Sequence, residues 1–358
     1  MIRSRCFQTV KRSLIPVLSA LVMLSVTACS KTPSVPIMNY SGEGGGKPSD
    51  FREMKLTDLV GYVSPEDVAE EIPAGPVIPG NIPAPIVYTE PLGNAFGAVE
   101  EVGENGYGIV LQLTGDSRDY TDEFLGQDFP EVTMGGLTRF WTAYVAVRNV
   151  EDLSEKVTFD PEALEGLENC KLAKLKEGDS LTYEQLLYGM FVCSGCDAAN
   201  MLAIATAGSV EEFVDMMNET AEEFGFTHTT FVNATGLDQE GATTNLYEAG
   251  RMVSVAMSRD VIVDAAGTGY YLALYEDAEG EEVEKEWISS NVYLNKQFDL
   301  PEDYSFLTAM SSSTAGSGHC DAFYFMTDHR NRYVAMVVGT KTEKETTDTL
   351  HKLAETAR

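Results

Sequence analysis

The chain is short of positive charge: 25 Lys and Arg stand against 56 Asp and Glu, a formal charge of -31 at pH 7. Nucleic acid is thereby excluded as a partner, because phosphate binding needs clustered cations. The same deficit holds a folded domain off an anionic membrane face, so membrane attachment has to come from a lipid. A membrane-spanning run is lacking near the N-terminus as well. The apolar stretch from Leu14 to Val26 falls well short of the roughly 20 residues a spanning helix needs. Histidine is scarce, with four in the chain, and His228, His329 and His351 sit in polar contexts without the spacing of a catalytic triad.

What stands at the N-terminus is informative. Arg3, Arg5, Lys11 and Arg12 precede the apolar stretch, and Val26-Thr27-Ala28-Cys29 follows as a bacterial lipobox. This order predicts a lipoprotein signal peptide over 1–28, cleavage before Cys29 and acylation of its thiol. The protein is then expected on the bacterial cell membrane, lipid-anchored and facing outside the cytoplasm. Processing removes Cys6 and consumes Cys29, leaving Cys170, Cys193, Cys196 and Cys320. Four cysteines allow three pairings, among which the sequence does not choose.

Residues 29–80 are rich in Gly, Pro, Ser and acid and read as a tether, with a short helix expected from Phe51 to Tyr62. Pro73, Pro76, Pro79, Pro83 and Pro85 make an extended entry into one large domain over 81–358. Within it, Thr182 with Gln185 and Ser209 with Glu212 form capping patterns ahead of apolar helical faces, and Gly225 closes the second helix. Strand-like runs lie at Gly108 to Leu113, Asp321 to Met326 and Tyr333 to Val338, and a closing helix is expected from His351 to Arg358. Strands near both ends with helices between them predict an α+β fold whose antiparallel sheet draws on chain from both termini.

The segment GLTRFWTAYVAV, Gly136 to Val147, resembles the SLTKxxTAYV stretch of serine D-alanyl-D-alanine carboxypeptidases, the low-molecular-mass penicillin-binding proteins. The denser match is Leu181 to Asp238, where the order of SG, DAA, MN, FG and NATGLD follows the same family and includes Asn233, Gly236 and Leu237. The resemblance covers about Asn94 to Val338. It implies the fold of penicillin-binding proteins and serine β-lactamases: a five-stranded antiparallel sheet flanked by helices, with an all-helical lobe beside it. No separate C-terminal β domain fits in what remains.

Carried over residue by residue, the family's chemistry is missing. Its nucleophilic Ser is Gly136 and its base Lys is Arg139, whose guanidinium does not give up a proton. No Lys in the chain has Ser three residues before it, so the dyad is not displaced elsewhere. The Ser-x-Asn motif becomes Ser194-Gly195-Cys196, and the Lys-Thr-Gly strand falls on Met310-Ser311-Ser312. No catalytic residue is intact, and the parent removal of a terminal D-alanine is expected to be lost, leaving a pseudoenzyme without a cofactor. The expected role is binding of a peptidoglycan stem peptide or a cell-wall protein, with Arg139 offering a fixed cation among Ser194, Ser311 and Ser313 to a carboxylate. Three other readings stay open: an active hydrolase or carboxypeptidase, a thiol-based activity at Cys196, paired with Cys193 at redox spacing, and a metal site of Cys193, Cys196, His319 and Cys320.

Overall fold

The computed structural model describes residues 35–37, 52–54, 97–102, 106–113, 129–291, 293–294, 304–327 and 329–357. The chain divides into two units, 1–86 and 87–358. In the first, β1 (Val35–Ile37) pairs antiparallel with β2 (Arg52–Met54). Extended chain at 52–54 thus stands where a short helix was expected; an isolated helix of under ~12 residues is marginal, whereas pairing with β1 gives alternate backbone groups a partner. The rest of 51–62, the signal peptide and Cys29 lie outside the described residues.

The second unit starts with β3 (Gly97–Val102) and β4 (Gly106–Leu113). After β5 (Glu131–Val132) the chain enters α1, Thr138–Asn149. Then come β6 (Lys156–Thr158), β7 (Ser180–Thr182) and three helices, α2 (Tyr183–Val192), α3 (Cys196–Ala207) and α4 (Val210–Glu223). After β8 (Thr244–Asn245) follow α5 (Leu246–Ala256), α6 (Asp260–Ala266) and the hairpin β9 (Tyr270–Glu276) with β10 (Glu282–Ile288). Three long strands, β11 (Tyr304–Thr314), β12 (Gly318–Thr327) and β13 (Arg332–Thr340), lead into α7 (Glu343–Thr356).

The five-stranded antiparallel sheet runs β11-β12-β13-β4-β3, so N-terminal and C-terminal chain complete one sheet, as the sequence predicted. Alternation at period two sorts its side chains. Val110, Phe323, Phe325, Tyr333 and Val337 pack under α7 with Leu350 and Leu353, while Ile109, Leu111, Ala322, Tyr324 and Met336 join the larger core of α1 to α6. A helix apolar on all sides belongs in the interior, and α1 fits: every residue from Thr138 to Ala146 is buried. Trp141 stacks on Tyr144 and Phe231 and donates from Nε1 to the Met217 carbonyl at 3.1 Å.

The helix signals in the sequence are physical caps. Thr182 Oγ1 accepts from Gln185 N at 3.1 Å while Gln185 Oε1 accepts from Thr182 N at 2.9 Å, and Ser209 Oγ accepts from Glu212 N at 3.1 Å. The last helix differs from expectation. It starts at Glu343, eight residues before His351, because Thr342 and Glu345 form a full capping box.

A second sheet, β10-β9-β7-β6, was not anticipated. Half the residues of its acidic hairpin face solvent, so apolar density is low there. The inner face is held by Tyr271 between Tyr188 and Trp287, with ring centroids 4.0 and 5.8 Å apart.

Candidate functional site

Gly136 lies in a 3-10 turn, Gly135–Leu137, that feeds α1 against the inner face of β11. Gly136 N donates to Ser312 Oγ at 2.8 Å. A Cβ on Gly136 would stand 2.6 Å from that oxygen and 3.3 Å from Arg139 Cζ. The space a serine side chain would need is therefore occupied from one side by a hydroxyl and from the other by a guanidinium. Gly236 presses on the same turn: at φ +75° it brings its α-carbon so close that a Cβ would meet the Gly135 carbonyl oxygen at 1.9 Å.

The NATGLD segment explains that close approach. Asn233 Oδ1 accepts from Gly236 N at 2.8 Å and Thr235 N at 3.2 Å, while its Nδ2 donates to the Leu237 carbonyl at 3.0 Å. Asp238 then holds the β11–β12 turn, accepting from Thr314 Oγ1 at 2.5 Å and Gly316 N at 2.7 Å. These turn contacts also place the Thr235 carbonyl at the site, a group that residue-type reasoning had passed over.

Arg139 points inward, with about 6% of its surface exposed. Its Nε donates to the Thr235 carbonyl at 3.1 Å and its Nη2 to Cys196 Sγ at 3.5 Å. Its Nη1 is buried with no hydrogen-bond partner, and no carboxylate bridges Arg139 among the described ion pairs. A buried guanidinium with a spare donor is poised for an oxygen acceptor.

Cys196 opens α3 and is fully buried. Ser194, at φ 53°, and the extended Gly195 separate Cys193, at the end of α2, from Cys196, at the start of α3. The charged groups near Cys193 are Asp197, Lys285 and Lys174, and burial pushes its thiol up to about 12. Cys196 has another neighbour, Cys170, whose thiol is pushed up to about 12 by burial and by the Cys196 thiol beside it.

The three residues on the Lys-Thr-Gly register separate by face. Met310, about 3% exposed, and Ser312 lie on the inner face with α1. Ser311 lies opposite Asp321 in the ladder and belongs to the α7 side, where the Tyr293 hydroxyl donates to Asp321 Oδ2 at 2.8 Å. Burial raises the Asp321 carboxyl to about 7, against the lowering effect of Tyr293 and Ser311. Ser311 is therefore not a lining hydroxyl of the cleft, since alternate residues of a strand face opposite ways; Ser312 takes that place. The same alternation divides His319 from Cys320. Cys320 is buried, its Sγ 3.4 Å from the Ser317 carbonyl, whereas His319 lines a separate cavity of about 700 Å³ with Ser313 and Lys341. The four residues proposed for a metal are not brought together, and no group of three such ligands occurs among the described residues.

Two other cavities flank the turn. One of about 360 Å³ is lined by Gly135, Thr138, Asn233, Gly236 and Asp238, and one of about 300 Å³ by Asn200, Asn233 and Thr235. None of the three is lined by Gly136, Arg139 or Cys196.

With the turn, Arg139 and the Ser-Gly-Cys corner in place, comparison with known proteins shows what this part of the chain is similar to. The sequence profile of the D-alanyl-D-alanine carboxypeptidases matches residues 130–297. Over this stretch the chain is similar to that family. Among curated relatives, D-alanyl-D-alanine carboxypeptidase DacF of Bacillus subtilis is 30% identical over 188 residues, 51% of this chain and 44% of that protein. DacC of Escherichia coli is 34% identical over 113 residues, 29% of this chain and 28% of that one. The chain thus spans under half the length of these relatives. The Streptomyces K15 DD-transpeptidase structure aligns with a TM-score of 0.58 at 23% identity, covering 64% of this chain and 90% of that one. A putative penicillin-binding protein homolog from Mycobacterium tuberculosis aligns with a TM-score of 0.56 at 20% identity, over 75% and 97%. At those identities the likeness concerns the fold, which is that of the penicillin-binding proteins. The family match stops at 297, ahead of Met310-Ser311-Ser312; Ser312 reaches the site through the sheet, by its bond to Gly136.

Proposed function

We propose that this protein is a non-hydrolysing member of the carboxypeptidase family, lipid-anchored outside the cytoplasm, that binds the free carboxylate of a wall stem peptide at the inherited site, the closed 135–137 turn opening to expose Arg139. One observation carries the reading: the nucleophile's place is taken by Ser312 and Arg139, and Arg139 keeps an unpartnered buried donor. A serine-type acyl transfer needs a hydroxyl and a base that accepts its proton; Gly136 and Arg139 supply neither. What remains is a permanent cation beside hydroxyl and carbonyl groups, the chemistry that recognises a carboxylate. That the relatives are D-alanyl-D-alanine carboxypeptidases supports a wall peptide over other carboxylates.

Calorimetric titration with a muropeptide tests it. A stem peptide with a free C-terminal carboxylate is expected to bind, its C-terminal amide to bind at least about tenfold more weakly, and Arg139→Ala to abolish that difference. Arg139→Lys, which keeps the charge, guards against loss of folding and should retain part of the discrimination. Equal affinity for acid and amide rejects the reading. The location is tested with an alkyne-tagged fatty acid: the chain takes up the label, and Cys29→Ser does not. Equal labelling of both sinks the anchor.

A further inference from the structure

The geometry points to Cys170 and Cys196 as a dithiol pair that oxidises to an intramolecular disulfide behind the inherited site. This inference does not depend on the ligand proposed above. The backbone sets it up: Cys196 N donates to the Lys171 carbonyl at 2.9 Å, laying the 170–173 segment along the first turn of α3. Asp197 fixes the same segment, its carboxylate accepting from Ala173 N at 2.7 Å and Leu175 N at 3.1 Å. Hydrogen-bonded chain segments of this kind bring α-carbons into the range a disulfide spans. The two thiols are close enough to perturb each other, and Arg139 is near both, by its bond to Cys196 Sγ and by its charge near Cys170. Cys193 and Cys320 have other surroundings: Asp197, Lys285 and Lys174 for the first, Thr133 and Ser317 carbonyls for the second.

Access orders the steps. Cys196 is fully buried and Cys170 partly exposed, so an external disulfide meets Cys170 first. The Cys170 thiolate attacks one sulfur of that disulfide, the external S–S bond breaks, and one thiol leaves with a proton. The Cys196 thiol then attacks the Cys170 sulfur of the mixed disulfide, its proton passing to the departing sulfur, and the second thiol is released. Two protein thiols are oxidised and one external disulfide is reduced to two thiols, so electrons and protons balance. The oxidant is a low-molecular-mass or protein disulfide, the kind present outside the cytoplasm. Burial and the Cys196 thiol keep Cys170 largely protonated at neutral pH, with Arg139 and Asp197 the charged groups facing it; exchange is therefore slow at pH 7 and faster at pH 9. Oxidation converts the sulfur that Arg139 Nη2 contacts and ties the 170–175 segment to α3, which couples the redox state to the guanidinium.

The native full chain, incubated with oxidised glutathione at pH 7 and 9, trapped with iodoacetamide after denaturation and digested, gives the readout by mass spectrometry. The expected product is a Cys170–Cys196 linked peptide, with Cys193 and Cys320 alkylated, forming at least about tenfold faster at pH 9. In Cys170→Ser, Cys196 is expected to stay a free thiol. A Cys193–Cys196 link, or no link after prolonged exposure at pH 9, overturns the inference.

Discussion

A fluorescent penicillin is expected to leave this protein unlabelled, even after prolonged incubation at high concentration. Losing the nucleophile of a serine enzyme costs about six powers of ten in turnover, and here the base is replaced as well, by a side chain that stays protonated. Covalent capture of a β-lactam needs an oxygen that Gly136 does not have. Stoichiometric acylation of the parent chain would end the pseudoenzyme reading at once. Reinstating the dyad as Gly136→Ser with Arg139→Lys is expected to fail too. The new Cβ would stand 2.6 Å from Ser312 Oγ and 3.0 Å from Ser312 Cβ, closer than packed atoms tolerate, so the double variant should lose about 1–3 kcal/mol in urea unfolding. Adding Ser312→Gly should recover most of that loss, because it removes the obstructing group. Acylation should still be poor, since Met310 brings no cation to the strand.

The largest loss of stability is expected from Asp197→Ala. This carboxylate is fully buried at the start of α3 and accepts three backbone N–H bonds, from Ala173 at 2.7 Å, Ala198 at 2.9 Å and Leu175 at 3.1 Å. Truncation leaves the Ala173 and Leu175 donors buried without acceptors, each costing about 1–3 kcal/mol, and removes a negative charge from a helix N-terminus. A total near 3–6 kcal/mol follows, read as a shift of the urea midpoint with unchanged slope. Asp197→Asn keeps one acceptor oxygen and should lose about half as much. A loss under about 1 kcal/mol for Asp197→Ala would mean that water replaces the carboxylate and that the 170–175 segment is not anchored as described.

Much of this molecule was legible because its signals are local. Thr182, Gln185, Ser209 and Glu212 cap helices whether or not anything packs on them, and the order of SG, DAA and NATGLD marked the family segment before any contact was known. The missing oxygen at Gly136 and the fixed charge of Arg139 are likewise properties of residue type. The β9–β10 hairpin was illegible for the opposite reason: its acidic outer face dilutes the apolar pattern, and its inner face has meaning only against Tyr188.

From the sequence alone came the glycine at 136 and arginine at 139, the α+β class and the resemblance to the carboxypeptidases, since each depends on which groups are present and in what order. Tertiary structure alone decided what fills the vacated site and which groups meet there. Strand alternation turned Ser311 away and brought Ser312 in, and the backbone bond from Cys196 to Lys171 brought Cys170 near Cys196. Those outcomes turn on side-chain direction over a few ångströms between segments far apart in the chain, which spacing along the sequence does not encode.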